Sequence, residues 1–126
     1  WNTVFPSVFE ETNKFTNILA KCFPVLHWHG DRILLPTKAK LIASSDRCKE
    51  QLFRIGPIAY GIQFHVEIEN EMVNTWIEED KEFISFALGI DGQSILKKQQ
   101  KEFGNKTLDA RLAILKILVD LVSYKN

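Results

Sequence analysis

The apolar residues of this chain change period once, near residue 66, and that switch limits the folds open to it. Up to that point the apolar runs are short, β-branched or aromatic, and cut by turn residues, as strands are. "FPVLHWH" (23–29) ends at Gly30-Asp31, "RILLP" (32–36) stops at Pro36, and "AKLIASS" (39–45) and "EQLFRI" (50–55) flank a polar link. Gly56-Pro57 makes a turn, and "IAYGIQFHV" (58–66) is the clearest strand. Beyond it Met72, Val73, Trp76, Ile77, Phe83 and Ile84 recur at helical spacing, with Glu69 or Asn70 as the expected cap and Glu71 in the first turn. A short helix is expected near 93–102 and a long one from about Thr107. That last helix carries two apolar rows, Leu108, Leu112, Leu115, Val119 and Val122, and Ala110, Ile114, Ile117 and Leu121, so cover on more than one side is expected. Strands followed by helices predict an α/β layered domain or part of one.

Alternation along 58–66 decides which side chains meet. Ile58, Tyr60, Ile62, Phe64 and Val66 share the face expected to enter apolar packing. Ala59, Gly61, Gln63, His65 and Glu67 share the other, toward a cleft or a helix cover. His65 and Glu67 then lie roughly 6–7 Å apart along the backbone, close enough for the carboxylate to reach the imidazole. A carboxylate so placed fixes the ring tautomer and stabilises the protonated ring, the orienter's part in a nucleophile–base–orienter triad.

Length and charge narrow the setting. With 126 residues, 45% of them apolar and 25% charged, one core is the expectation, and residues 1–126 read as a single unit. Sixteen basic and sixteen acidic residues leave no net field to steer the chain to nucleic acid or an anionic membrane. The most apolar run, "LAILKILVDLV" (112–122), is interrupted by Lys116 and Asp120 and is too short to span a bilayer. Cys22 and Cys48 form neither a disulfide framework nor a zinc spacing, so a reducing, cytoplasmic setting is expected. The chain opens at Trp1 in "WNTVFP", without a methionine, and reads as a piece of something longer.

"GIQFHVE" followed by "NEMV", with "HWHGD" upstream and "LIASSDRCKEQLFRIG" between them, resembles the C-terminal half of a class I glutamine amidotransferase domain, most of all the stand-alone, GMP-synthase-like type. The family ends its catalytic domain with Gln-Phe-His-Pro-Glu; here Gln63-Phe64-His65-Val66-Glu67 stands in that place, with Val66 for proline. The resemblance implies a doubly wound three-layer α/β fold, of which this chain is the C-terminal part. It also implies a Cys-His-Glu triad that hydrolyses the glutamine side-chain amide and delivers ammonia, with His65 as base and Glu67 as orienter. His29, Gly30 and Asp31 match a His-Gly-Asp beside the glutamine pocket, so glutamine is the implied substrate, with no cofactor.

The resemblance also implies a cysteine nucleophile in a Gly-x-Cys-x-Gly elbow, and no such elbow occurs. Neither "LAKCFPV" nor "SDRCKEQ" has the flanking glycines that a sharp nucleophile turn needs. The chain is therefore expected to be inactive alone, and to leave a sheet edge and apolar faces for the missing N-terminal half or another copy of itself. Two other readings stay open: a non-catalytic binding or regulatory module on the same scaffold, and a metal-dependent hydrolase using His27, His29 and His65. The second is disfavoured because His-x-His supplies only two ligands, and no metal is expected.

Overall fold

The computed structural model describes residues 1–7 and 15–123. Five strands form one sheet in the order β2-β1-β3-β4-β5: β1 (Asn2–Pro6), β2 (Pro24–Val25), β3 (Ala39–Ser45), β4 (Leu52–Ile55) and β5 (Ala59–Ile62). Each pair is antiparallel. The helices are α1 (Thr16–Leu19), α2 (Asn70–Glu79), α3 (Lys81–Leu88), α4 (Gly92–Phe103) and α5 (Leu108–Ser123). The α/β class expected from the change of period is the one observed.

The edges of the sheet approach each other. The segments that continue β2 and β5, the two edge strands, meet in a single antiparallel bridge between Leu26 and His65, where His65 N–H donates to the Leu26 carbonyl at 2.9 Å. The sheet is thereby curled, and the chain after β5 crosses from one edge to the other. Gln63 N–H donates to the carbonyl of Gln51, the residue before β4, at 2.9 Å as the chain leaves β5 for the crossing.

Two apolar clusters lie on either side of this crossing. Val4, Phe15, Leu19, Val25, Leu52, Phe64, Val66 and Ile114 belong to the first, closed by α1 and α5. Leu26, Ile68, Val73, Ile77, Ile84 and Leu96 make the second, under α2, α3 and α4. Adjacent residues divide between them, Val25 to the first and Leu26 to the second, as extended backbone requires. Close packing needs Gly61: a Cβ there would overlap the ring of Phe53 on the neighbouring strand.

Several boundaries differ from the sequence expectations. Within 23–29 the strand is only Pro24–Val25, with a bridge at Leu26, and 32–36 forms no strand; Leu34 is 79% exposed. Ile58 is exposed because it still belongs to the Gly56-Pro57 turn, where Gly56 takes φ +62°, rather than to β5. The helical run from residue 70 is two helices, broken at Asp80 (φ −100°, ψ 36°). On α5 the row of Ile114 is the covered one: Ile114 is fully buried, with Ala110, Ile117 and Leu121 against the same cluster, whereas in the other row Leu115 packs on that cluster and Leu108, Leu112, Val119 and Val122 are exposed. No helix among the described residues is long and apolar enough to cross a membrane.

Candidate functional site

His65 and Glu67 are brought together as their alternation implies. His65 Nδ1 lies 2.7 Å from Glu67 Oε1, and Val66 N–H donates to Glu67 Oε2 at 3.0 Å. Partial burial pushes the Glu67 carboxyl up, but the hydrogen bonds from His65 and the backbone, with the attraction of the imidazole, outweigh it and hold the group below its ordinary range. An ionised carboxylate only accepts, so the proton of this bond sits on His65 Nδ1. Nε2 of the neutral ring then keeps its lone pair, the arrangement a general base needs. Trp76 of α2 stands edge-on to the ring, 5.3 Å between centroids at 79°, and fixes its plane.

His29, Gly30 and Asp31 form a different group. His29 Nδ1 lies 2.9 Å from the Asp31 carbonyl, closing a tight turn around Gly30. Gln63 Nε2 donates to the same carbonyl at 2.7 Å and comes within 3.3 Å of His29 Nδ1. All three residues line a cavity of about 720 Å³, with His27, Trp28, Arg47 and Cys48 also in its wall. His65 and Glu67 are not in that wall. The connection is aromatic: Trp28, in the cavity wall, lies 5.5 Å from Trp76, and Trp76 covers His65. The structure thus places the dyad beside the cavity rather than inside it.

His27 packs between His29 and Phe64, at 5.8 and 6.4 Å between ring centroids. Burial pushes its pKa down to about 4; its hydrogen bond to the Asn2 carbonyl opposes this, while the nearby N-terminal amine, His29 and His65 add to the lowering by disfavouring a second positive charge. At neutral pH it is an uncharged ring whose Nε2–H is given to Asn2, at 3.2 Å. That engagement removes one nitrogen from any metal. No group of three or more His, Cys, Asp or Glu side chains among the described residues is arranged to hold an ion.

Neither cysteine thiol faces His65. Cys22 Sγ points to the Ala20 carbonyl at 3.7 Å, and Cys48 Sγ to the Gln63 amide oxygen at 3.9 Å. Cys22 takes φ +47° just beyond the turn that follows α1, two residues past the cap Ala20. The sequence reading gave no role to Gln63, Trp76 or Arg111. Gln63 shares the alternating face of His65, which is the signal that could have marked it; the others become visible only through tertiary packing.

The comparisons with known proteins agree with this geometry at the level of fold. No family model matches the chain. Over 63 residues it is 33% identical to a glutamine amidotransferase-like protein, YfeJ, of Salmonella typhimurium, a stretch that is 50% of this chain and 26% of that protein. A crystal structure of a glutamine amidotransferase from Thermotoga maritima superposes with a TM-score of 0.64 at 28% identity, over 94% of this chain and 49% of that one. Two further crystal structures share the fold: SMU.1228c, with a TM-score of 0.74 at 24% identity over 94% of this chain and 50% of that one, and a glutamine amidotransferase of Methylobacillus flagellatus, at 0.56 and 16% over 87% and 51%. The chain has a glutamine amidotransferase-like α/β fold, and the likenesses to the Salmonella protein and the Thermotoga structure support that family. It spans about half the length of the solved structures it matches, and the aligned stretch is about a quarter of the curated relative.

Proposed function

We propose that this chain carries the base and the orienter of a glutaminase site, His65 and Glu67, and that the cysteine nucleophile comes from residues outside it. The observation that carries this reading is the 2.7 Å bond from His65 Nδ1 to an ionised Glu67, which leaves Nε2 free. In the assembled site Nε2 takes the thiol proton and the thiolate sulfur bonds to the side-chain amide carbon of glutamine. As the tetrahedral centre collapses the C–N bond breaks, and the imidazolium returns its proton to the leaving nitrogen, so ammonia departs. Water, deprotonated by the same Nε2, then splits the γ-glutamyl thioester to glutamate and free thiol. His29, Gly30 and Asp31, in the cavity wall, are the proposed glutamine-binding residues. The chain is proposed as the C-terminal part, residues 1–126, of a GMP-synthase-like glutamine amidotransferase domain, and the partner as the complementary half of that fold. Its exposed α5 row and the relatives' twofold length support that partner.

The test is glutamate release from glutamine, measured for the chain alone and with the complementary half added. Activity only in the mixture, lost in His65→Ala and kept when Cys22 and Cys48 are both replaced by serine, is the expected result. Activity in the chain alone overturns the proposal. A mixture that associates without turnover favours a scaffold that binds rather than catalyses.

A further inference from the structure

We propose that Arg111 is a positioning residue for the His65–Glu67 pair, acting through the backbone carbonyl of Ile68. Arg111 lies in the first turn of α5 and is 1% exposed, although an arginine is seldom buried without a partner. Its fork is spent on two main-chain acceptors: Nη1–H donates to the Ile68 carbonyl and Nη2–H to the Gly104 carbonyl, each at 2.8 Å. The second carbonyl closes the C-terminal end of α4, where the helix dipole favours a positive charge. The ring of Trp1 lies under the guanidinium carbon at 5.7 Å. Desolvation disfavours the charged form, and attraction to the Glu67 carboxylate opposes that effect.

Ile68 follows Glu67 directly, and this gives the bond its consequence. The crossing segment is held at successive points: His65 N–H by Leu26, Val66 N–H by the Glu67 carboxylate, and Ile68 C=O by Arg111. The side chains of Val66 and Ile68 are buried on either side. Glu67 itself is exposed at its head, so its aim at His65 depends on a fixed backbone. An apolar side chain could fill the same volume in α5. The guanidinium alone ties that carbonyl to α4 and places a cation where Glu67 feels it. The corner that receives it is built for close approach: a Cβ on Gly104 would come within 2.6 Å of Gln100 Nε2 and 2.7 Å of Asn70 Oδ1.

The inference rests on His65 and Glu67 being base and orienter, so its test reads the ring rather than catalysis. In the ¹⁵N-labelled chain at a pH where the imidazole is neutral, NMR gives the ratio of the His65 tautomers. A dominant Nδ1–H form is expected, falling roughly threefold or more in Arg111→Met, the scale of coupling inside one hydrogen-bond network. Arg111→Lys, which keeps the charge and one bond, is expected to stay nearer the native ratio. A native ring without an Nδ1–H preference sinks the base–orienter reading itself. A native preference that a folded Arg111→Met leaves unchanged sinks only the role of Arg111. Should Arg111→Met not fold, the reciprocal measurement uses Glu67→Gln, at an exposed head group: exchange of the Arg111 guanidinium protons with water is expected to quicken, roughly threefold or more. Unchanged exchange there overturns the proposal.

Discussion

Trp76 stands edge-on to His65 and at the same time contacts Trp28 in the cavity wall, so one indole links the ring of the proposed base to the cavity that the proposed glutamine-binding residues line. Trp28 is in turn fixed by its indole N–H, which donates to Asp80 Oδ2 at 2.9 Å, at the break between α2 and α3. Replacing Trp76 removes a wall of the dyad and part of the second apolar cluster together. Trp76→Ala is expected to destabilise the chain by about 2–3 kcal/mol, below the range for a fully buried tryptophan because this one is half-buried. Trp76→Phe, which retains an aromatic edge, is expected to cost about 1 kcal/mol. Urea midpoints of the two variants check this; equal losses would mean that an aromatic edge alone restores nothing and that the indole itself is required.

Glu67 makes the second prediction, on pH. Partial desolvation raises its pKa, but the bonds from His65 and the backbone outweigh that and leave it depressed. Below the ordinary carboxylate value, 4.5, the unfolded chain takes up a proton that the folded chain refuses. Stability from this group is therefore full above that value and is lost as pH falls through the folded pKa. Glu67→Gln is expected to flatten this part of the stability curve, read from urea midpoints between pH 5 and the acid limb. In the proposed assembled glutaminase the same change is expected to lower kcat by roughly a hundredfold or more, with KM little altered, because it would misorient the proposed base without touching substrate.

How much of this was legible from residues alone depends on how local each cause is. The alternation along 58–66 put Phe64 and Val66 inside and left His65 and Glu67 together, since period 2 is a property of the backbone itself. The strand Asn2–Pro6 was not legible: a short run ending in proline gains its place from β2 and β3, which flank it. The break at Asp80 was hidden for the opposite reason, because Phe83 and Ile84 fall nearly in phase with Trp76 and Ile77 across it. Arg111 reads as a solvated charge on a helix, and only the carbonyls of Ile68 and Gly104, 43 and 7 residues away, account for its burial. The separation of the cavity from the dyad was equally invisible, since it depends on how α2 and α3 carry Trp76 and Phe83 against Trp28.

His27 makes the third prediction. Its pKa is pushed down to about 4 from 6.5, chiefly by burial, so between those values the unfolded chain binds a proton and the folded chain does not. Stability is expected to rise with pH across that window and to level off above it, the whole effect amounting to at most about 3 kcal/mol. His27→Gln, which can still donate to the Asn2 carbonyl, is expected to lose this dependence while staying folded at pH 7. Chemical denaturation at pH 7 and pH 5, compared between the two proteins, gives the answer; a parallel loss on acidification in both would assign the acid sensitivity elsewhere.

Gly61 makes the fourth, and joins the sheet to the site. It pairs with Phe53 across β4 and β5, two residues before Gln63 and four before His65. A methyl group there overlaps the Phe53 ring, whose side chain is itself buried, so the ring must turn or the strands must part. Gly61→Ala is expected to destabilise by about 1–3 kcal/mol through overpacking, since Gly61 does not need a positive φ and the cost is steric alone. The distinguishing measurement is a double-mutant cycle. In a Phe53→Ala background the same change is expected to cost nearly nothing, because the two residues interact directly. An undiminished cost in that background would place the constraint in the backbone of β5, and the crossing that delivers His65 to Leu26 would then depend on glycine for its conformation rather than for its size.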